Sequence, residues 1–486
     1  MSTEKKTGSE KQIPVKHIKI HTEIINAITP YDFQSRWDTQ RISDAQFGIS
    51  TVRQMLVEIR QRNWDMGYRN EVCYVYNGAS WKERSVDDVK KTLASVAERM
   101  GVPEAKAWNP DFAEKLMEHF KIEALMRDDP YADPDKVQIN LRNGTYEVNV
   151  GVRQLVDFKN TDNLFHQLHF DYDPKAVAPM FKTYLNQVLP DPQSQAVLAE
   201  YMGYIFTRTS TLKLEKALLL YGSGANGKSV FYDIMCGMLG WENFSSYTLN
   251  SLTNENGYYR AKIEKKLVNY CSEISNKQDV ELFKMLASGE PIEARLPYKD
   301  PFIMMNYAKL VFNCNSLPKE VEATNAFFRR LIIIPFTQTI PEEQQDHYLA
   351  KKIIHAELSG VLNWVLDGLD RLLQQQRFSE CDATKNAVAK YKKDSDSVQV
   401  FLDEFKYKKS DERYVKQNEL YMHYSKFCKF GGLHPLGIVN FGKRIDDLGI
   451  MRKQMNFGKA VNLVQDPLGL QELQRLITGE LPPIIK

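Results

Sequence analysis

With 486 residues the chain has room for two to four domains, and its 43% hydrophobic and 26% charged content is that of an ordinary globular protein. The formal net charge of +2 is nearly neutral, so charge balance alone points to no nucleic-acid partner. No apolar run approaches the roughly 20 residues that span a bilayer, and the polar, Lys-rich start lacks the apolar stretch of a secretory signal. A cytoplasmic protein without a membrane partner is expected. Cys73, Cys236, Cys271, Cys314, Cys381 and Cys428 are scattered, with no CxxC pair and no metal-ligand spacing to a histidine, as suits reduced thiols.

Residues 1–21 (MSTEKKTGSEKQ…) read as a disordered polar N-terminus. Residues 22–135 read as a mostly helical domain, with Val52, Met55, Leu56 and Ile59 on one apolar stripe and Val89, Leu93, Val96, Ala97 and Met100 on another. Between the stripes, EVCYVYNGASW reads as a hairpin turning at Asn77-Gly78. Residues 136–205 form a further, mainly helical region. In it Asn143-Gly144 separates short extended runs, Asp173-Pro174 opens a helix (KAVAPMFKTYLNQVL), and Asp191-Pro192 opens another through Leu198 and Met202.

From 206 to 375, strand and helix signals alternate. The runs Ala217–Tyr221, Leu267–Cys271, Leu310–Cys314 and Leu331–Pro335 are short and apolar throughout, the pattern of strands buried on both faces of a parallel sheet. A helical stretch around Ala350–Leu373 follows. KYKKDSDS (Lys390–Ser397) reads as a linker, residues 398–465 as a last domain and 466–486 as a C-terminal tail. The expected fold class is α/β.

The sharpest signal is Gly222-Ser223-Gly224-Ala225-Asn226-Gly227-Lys228-Ser229, a full match to GxxxxGK[ST] fed by the apolar strand ALLLY and followed by a helix that stops at Gly240. Glycines let backbone N–H groups approach phosphates, and the helix N-terminus adds partial positive charge. Lys228 would neutralise β/γ-phosphate oxygens and Ser229 would hold Mg²⁺, so ATP and Mg²⁺ are the expected cofactors. Such a loop needs a carboxylate on a nearby strand. Glu273, following Ser272 beyond Leu267–Cys271, stands at a C-terminal strand edge, where it would orient the attacking water and serve the metal; a solvated surface glutamate is the alternative. Asn315 ends KLVFNCN and would contact the γ-phosphate or position the water, unless it serves only the strand-ending turn. Arg329 and Arg330 before LIIIPF are either a surface salt-bridge face or arginines reaching a neighbouring subunit's γ-phosphate, with Arg330 favoured.

This order of motifs resembles the superfamily 3 helicases, an AAA+ type of small viruses, phages and plasmids, and within them the poxvirus, phage and plasmid primase-helicases. GSGANGKS, MLASGEPIEARLPYKDPF, INLRNGTYEV, FDYDPKAVAPMFKTYL and ELYMHYSKFCK…FGKRIDDLGI carry the resemblance, from about Lys136 to Leu463. It implies a P-loop AAA+ core over 206–375, a collar-like region before it and a winged helix after it. It also implies a homo-hexameric ring moving 3′→5′, in the host cytoplasm where a phage or virus encodes it. Two departures stand out. The acidic pair often found before motif C is here Ser272-Glu273, and no primase domain is evident. Asp171-Tyr172-Asp173 has the DxD form of a primase metal site but sits in the region before the ATPase.

The resemblance further implies that Lys284–Phe302 forms a hairpin projecting into the ring's channel. There Arg295, Tyr298 and Lys299 around Leu296-Pro297 would offer cations to phosphates and a ring to bases; an exposed basic loop is the plainer reading. Toward the C-terminus, two helices (Gln417–Cys428 and Ile438–Leu448) and an extended run around Ile450–Val464 follow winged-helix order. Between Phe405 and Ala460 there are 12 Lys+Arg against 5 Asp+Glu, and Lys443, Arg444, Arg452 and Lys453 are candidate DNA contacts. The expected function is ATP-driven translocation on single-stranded or forked DNA, with a primase or polymerase encoded elsewhere as a partner. An ATP-dependent initiator or loader that binds origin DNA without processive unwinding is the alternative, and a small-substrate P-loop kinase a third.

Overall fold

The structure is a computed structural model that describes residues 14–126, 136–149, 152–272, 279–315, 317, 325–456 and 458–478. The helix Asp44–Arg60 starts at Ser43, whose hydroxyl accepts from Gln46 N while the Gln46 side chain returns to the Ser43 amide, a reciprocal cap that satisfies two otherwise orphaned donors. It buries Val52, Met55, Leu56 and Ile59 in one core with Val89, Leu93, Val96 and Met100 of the helix Val86–Met100. Strands β1 (Asp65–Arg69), β2 (Val72–Tyr76) and β3 (Trp81–Arg84) pair antiparallel in that order, so this first unit is helical with a small sheet. The β2–β3 hairpin turns at Asn77, whose side-chain oxygen accepts the amides of Ala79 and Ser80. Within the segment expected to be disordered, Val15 N already donates to Asn77 O and the helix Ile20–Ala27 buries Ile20. Residues 1–13 lie outside the described residues.

Strands β4 (Val137–Asn140), β5 (Thr145–Asn149) and β6 (Val152–Val156) form an antiparallel meander. Asp173-Pro174 makes a turn instead of opening a helix: Asp173 Oδ1 accepts from Lys175 N, and the helix starts at Pro179 and runs to Val188. Asp191 caps the next helix, Pro192–Tyr204, accepting from Gln193 N and Ser194 N.

The central sheet contains β7 (Ala217–Tyr221), β8 (Phe244–Ser245) and β9 (Val268–Cys271). After it the chain forms a separate antiparallel hairpin, β10 (Ile292–Ala294) and β11 (Phe302–Met304), then returns as β12 (Lys309–Cys314) and β13 (Leu331–Pro335). The sheet order is β13-β7-β12-β9-β8 with every neighbour parallel. Side chains alternate between two cores, as a doubly covered sheet requires. Leu218, Leu220, Val311, Ile332 and Ile334 pack with the helices Lys228–Leu239, Pro192–Tyr204 and Leu358–Gln375. Leu219, Leu310, Phe312 and Ile333 pack with the helix Val280–Ser288 and the β10–β11 hairpin. The first core continues into Val137, Ile139, Phe181 and Leu185, so a boundary at 205/206 would cut through it.

The stretch expected as a linker is instead the end of one helix, Asp382–Asp394, and the start of another, Ser397–Glu404. Tyr391 is buried against Phe328, their rings 5.3 Å apart edge to face, which ties the first of these helices to the sheet layer. The last unit holds β14 (Tyr407–Lys409), β15 (Val415–Lys416), the helices Gln417–Phe430 and Ile438–Asp447, then β16 (Arg452–Met455), β17 (Gly458–Val461) and β18 (Leu463–Gln465). β15, β17 and β16 form one sheet in that order, and β14 pairs with β18. The expected tail carries a helix, Pro467–Thr478, that buries Leu473 and Leu476 in this unit's core; residues 479–486 lie outside the described residues. Among the described residues no helix is long and apolar enough to cross a membrane.

The helices Pro192–Tyr204 and Leu358–Gln375 approach so closely that a β-carbon on Gly368 would stand 2.3 Å from the Ala199 carbonyl carbon. Gly368→Ala should therefore cost about 1–3 kcal/mol by overpacking, lowering Tm by roughly 2–4 °C for each kcal/mol in a domain of this size. An unchanged melting curve by circular dichroism would rule out this close approach.

Candidate nucleotide-binding site

In the sheet order, the chain leaves β7 for the β8 side and later returns to add β13 on β7's other flank. The loop after β7 thus stands at the switch point of a parallel sheet, outside the carboxyl ends of its strands, where ligands of such sheets bind. This loop is 222–229.

Its anchoring is done almost wholly by its acceptors. Lys228 Nζ donates to Gly222 O at 2.6 Å and to Asn226 Oδ1 at 2.9 Å. The Ala225 carbonyl accepts from Ile340 N at 2.9 Å, and the Gly227 carbonyl accepts from Tyr184 Oη at 2.8 Å and from Phe231 N. Asn226 Nδ2 donates to Phe336 O at 3.1 Å, tying the loop to the chain beyond β13. Gly222 N donates to Cys314 O at the end of β12. Beyond Gly222, among the described residues, the amides of 223–227 donate to no protein acceptor. A β-carbon on Gly222 would meet Phe336 O at 2.3 Å, and Gly227 takes φ +82 as the helix Lys228–Leu239 begins. Ser223, Gly224, Ala225 and Ser229 are exposed, whereas the Lys228 side chain is folded inward, where burial pushes its ammonium below the usual lysine value. Free amides, a helix N-terminus and a reserve cation fit the triphosphate and Mg²⁺ that the sequence implies.

The other expected catalytic residues divide. Asn315 is exposed just beyond β12, next to Cys314, whose carbonyl receives the Gly222 amide. Glu273 lies outside the described residues, which end on that strand at Ser272. The arginines stand at the opposite end of the sheet, before β13, with Ala217 N donating to Arg330 O. Their surroundings differ. Arg330 is 7% exposed, donating from Nε to Ser288 Oγ at 2.9 Å and from Nη1 to Ala326 O at 2.8 Å, so its guanidinium is consumed within its own subunit. Arg329 points outward; among the described residues its ion-pair partner is Glu215 at 3.8 Å, which also stands 3.5 Å from Arg330. It borders a cleft of about 420 Å³ lined also by Lys216, Phe328, Glu380, Thr384 and Lys385. Lys216 donates to Arg329 O, and burial first, then the Arg329 charge, hold its ammonium below the ordinary value. Neighbouring residues in a sequence cannot be told apart by spacing, which is why this distinction needed coordinates.

The β10–β11 hairpin forms with Ile292 opposite Met304 and Ala294 opposite Phe302. Its tip is a turn closed by Lys299 N donating to Leu296 O, with Pro297 and Tyr298 at the centre. Tyr298 takes φ +61, a conformation turns usually give to Gly or Asn, and its ring is fully exposed. Arg295 Nε donates to Lys299 O at 2.9 Å, and Lys299 Nζ pairs with Glu71 at the β1–β2 turn. In the last unit Lys443 and Lys453 are exposed. Arg444 is not: its guanidinium donates twice to Asp396 Oδ2, at 2.8 and 2.6 Å, and Arg452 is paired with Asp446. Both are committed to holding the unit together. In the DxD stretch, Asp171 is gripped by Arg142 through bonds of 2.8 and 2.7 Å.

Comparisons with known proteins match two family models to parts of the chain: a D5 N terminal like model over residues 53–190, and a family of unknown function, DUF5906, over 220–330. Among curated proteins, "Putative helicase L207/L206" of Acanthamoeba polyphaga mimivirus is 23% identical over 215 residues, 42% of this chain. The match spans 22% of that protein's length. Among solved structures, an apo A-form structure of the NrS-1 C-terminal region aligns with 85% of this chain and 98% of its own at 13% identity, with a TM-score of 0.47. A second structure of that region aligns at 11% identity with a TM-score of 0.46.

The arginine assignment is open to a stability test. Arg330→Ala removes two short bonds and leaves buried acceptors unpaired, so it should destabilise by about 1–3 kcal/mol, while Arg329→Ala should stay within about 0.5 kcal/mol of the parent. Chemical denaturation of both variants measures this, and equal effects would undo the division.

Proposed function

We propose that this chain is an ATP-dependent DNA helicase of the superfamily 3 (AAA+) type, serving replication of a virus, phage or other mobile element and working as a ring. The observation that carries the reading is the placement of loop 222–229, with its amides free, at the switch point of a five-stranded parallel sheet. The D5 N terminal like segment and the similarity to a putative viral helicase support the replication context.

In this reading the amides of 223–227 and the start of the helix Lys228–Leu239 bind the triphosphate. Lys228 exchanges the Gly222 and Asn226 oxygens for phosphate oxygens, and Ser229 ligates Mg²⁺. The ATP–Mg²⁺ pair supplies the phosphoanhydride and the charge neutralisation that its hydrolysis needs. Asn315, beside Gly222, orients the γ-phosphate or the attacking water, and Glu273 acts as the water's base and metal partner. Arg329 is separated from its own loop by the length of β13, five residues at about 3.3 Å each. It therefore serves a nucleotide held by a neighbouring copy, which enters beside the cleft at Lys216. Six subunits are the ring size that the resemblance implies.

Tyr298 at the hairpin tip stacks on bases, and Lys299 and Arg295 take phosphates once DNA displaces Glu71; an exposed ion pair of this sort is weak and screened by salt. Lys443 and Lys453 remain the candidate DNA contacts of the C-terminal unit, read as a winged helix. With Arg444 and Arg452 engaged internally, that unit offers fewer cations than its composition promised. This favours the helicase over an initiator held to its origin by the winged helix.

Unwinding of forked DNA of both polarities tests the proposal. Lys228→Ala should abolish unwinding and ATP hydrolysis. Arg329→Ala should lower turnover by on the order of 10³-fold, and mixing these two inactive variants should restore part of it. Mixed rings contain interfaces where an intact loop faces an intact arginine. Absence of rescue in confirmed mixed assemblies would reject the shared site, and DNA-stimulated hydrolysis without strand separation would favour the loader. Tyr298→Ala should weaken single-strand binding by about 1–3 kcal/mol per base lost from the stack, read by fluorescence anisotropy.

A further inference from the structure

The two ends of the central sheet carry surfaces that the chemistry above leaves unused, and their properties are complementary. At the carboxyl end, the chain leaves β13 and is pinned to loop 222–229 by Ile340 N, which donates to Ala225 O at 2.9 Å. Beyond that bond, residues 341–344 and 346–348 are exposed. Asp346 is paired with Lys352, whereas Glu342 and Glu343 have no ion-pair partner among the described residues. The stretch ends on Tyr348, 64% exposed, at the head of the helix Leu349–Ala356. That helix is fixed against the helix leaving the loop: a β-carbon on Gly237 would stand 2.6 Å from the Ile354 side chain. The loop edge therefore presents unpaired carboxylates and an aromatic ring on a braced frame.

At the amino end lies the cleft of about 420 Å³ beside Arg329. Val197, Phe328, Leu331 and Phe378 make its walls apolar. Its cations are Lys216, Arg329 and Lys385, and the acid among its lining, Glu380, is already paired with Lys385. The cleft is thus apolar inside and positive around its edge. An aromatic anchor in an apolar pocket, ringed by polar contacts, is the arrangement that carries most of the binding energy in protein interfaces. No copy can fill its own cleft. Phe328 and Arg329 precede β13 and Glu342 follows it, with the strand Leu331–Pro335 between, so the two surfaces lie at opposite ends of the sheet. They meet only between copies arranged head to tail.

We propose that residues 342–348 of one copy dock on this cleft of the next, with the Tyr348 ring inside it and Glu342 and Glu343 against Lys216 and Lys385. The partner is a second copy of this chain, and the assignment rests on the reading of the protein as a ring that shares each site between neighbours. It adds to that reading a contact made without nucleotide. Because Ile340 holds the docking segment to Ala225, the same contact carries the loop of one copy to the side of the next on which Arg329 stands.

Sedimentation of the full chain over a concentration series, with and without Mg²⁺ and ADP, tests the contact. Glu342→Lys together with Glu343→Lys should raise the concentration of half-assembly at least about 10-fold, because like charges then face each other. Lys385→Glu should act in the same direction, and Tyr348→Ala should cost at least about 10-fold by removing the anchor. Combining the three reversals restores opposite charges across the joint, so that variant should assemble better than either of its components. Reversals or Tyr348→Ala that assemble as the unaltered chain does would overturn the proposal. So would a combined variant no better than its components, or an unaltered chain that stays monomeric throughout. If Lys385→Glu fails to fold, judged by its melting curve, the loop-side variants decide alone, and assembly equal to the unaltered chain rejects the contact. Binding of a fluorescent ADP analogue to the same samples separates this proposal from the reading beneath it. A chain that assembles through these residues yet binds no analogue keeps the contact and loses the nucleotide site. One that binds the analogue but assembles regardless of the changes loses the contact alone.

Discussion

The functional face depends on one constraint: the loop after β7 must keep its amides open, so it has to be held by everything else. A free eight-residue turn would close its own hydrogen bonds. Here the closing partners are brought from outside. Tyr184 comes from a helix that precedes the sheet, Ile340 and Phe336 from the chain that follows it, and Cys314 from the adjacent strand. Within the loop, Lys228 occupies the Gly222 carbonyl and the Asn226 amide oxygen. In the proposed reading the lysine is a placeholder, held in a partly desolvated position where a phosphate oxygen would be a better partner than a carbonyl. The helix Pro179–Val188 supplies Tyr184 and is packed into the same core as β7, which explains why the first core cannot be divided at residue 205.

The same sheet that exposes the loop at one end exposes Arg329 at the other. Parallel strands send their amino ends to one side and their carboxyl ends to the other, so a residue before β13 and a loop after β7 cannot meet in one copy. In the proposed reading, the loop of one copy would meet Arg329 of the next in a head-to-tail contact, the kind that forms rings when it closes. Arg330, one residue on, has the other task. Bonded to Ser288 and Ala326, it locks the entry of β13 to the helix Val280–Ser288, and through that helix's neighbourhood to the β10–β11 hairpin.

What could be read from the sequence was what local chemistry dictates. Strands buried on both faces leave unbroken apolar runs, and four of the five sheet strands were legible this way. β8 was not, because two residues make no pattern. The loop was legible because its glycines, lysine and serine are each required within eight positions, and the β10–β11 hairpin came only through resemblance. Long-range pairing was invisible. Asp396 precedes Arg444 by 48 residues, and nothing in the basic composition of the C-terminal unit shows that this cation is spent. The supposed linker was misjudged on its charges. Its lysines lie on the solvent side of a helix whose single buried residue, Tyr391, does the anchoring.

The first unit, whose role the sequence leaves open, meets the central sheet layer through a different kind of contact. Lys265 reaches the Tyr74 hydroxyl and pairs with Glu83, and Lys299 pairs with Glu71. Glu71 and Tyr298 both hold positive φ, +62 and +61, at the tips of two hairpins that touch. At Glu71 the two-residue turn Asn70-Glu71 of the β1–β2 hairpin accounts for it, since such turns take positive φ at both positions. By contrast, β4 to β6 and the helices after them are joined to the sheet by a continuous apolar core. Charged contacts weaken with salt, so the Lys299–Glu71 joint between the first unit and the hairpin tip loosens as ionic strength rises. A polyanion reaching that joint would compete directly with Glu71 for Lys299.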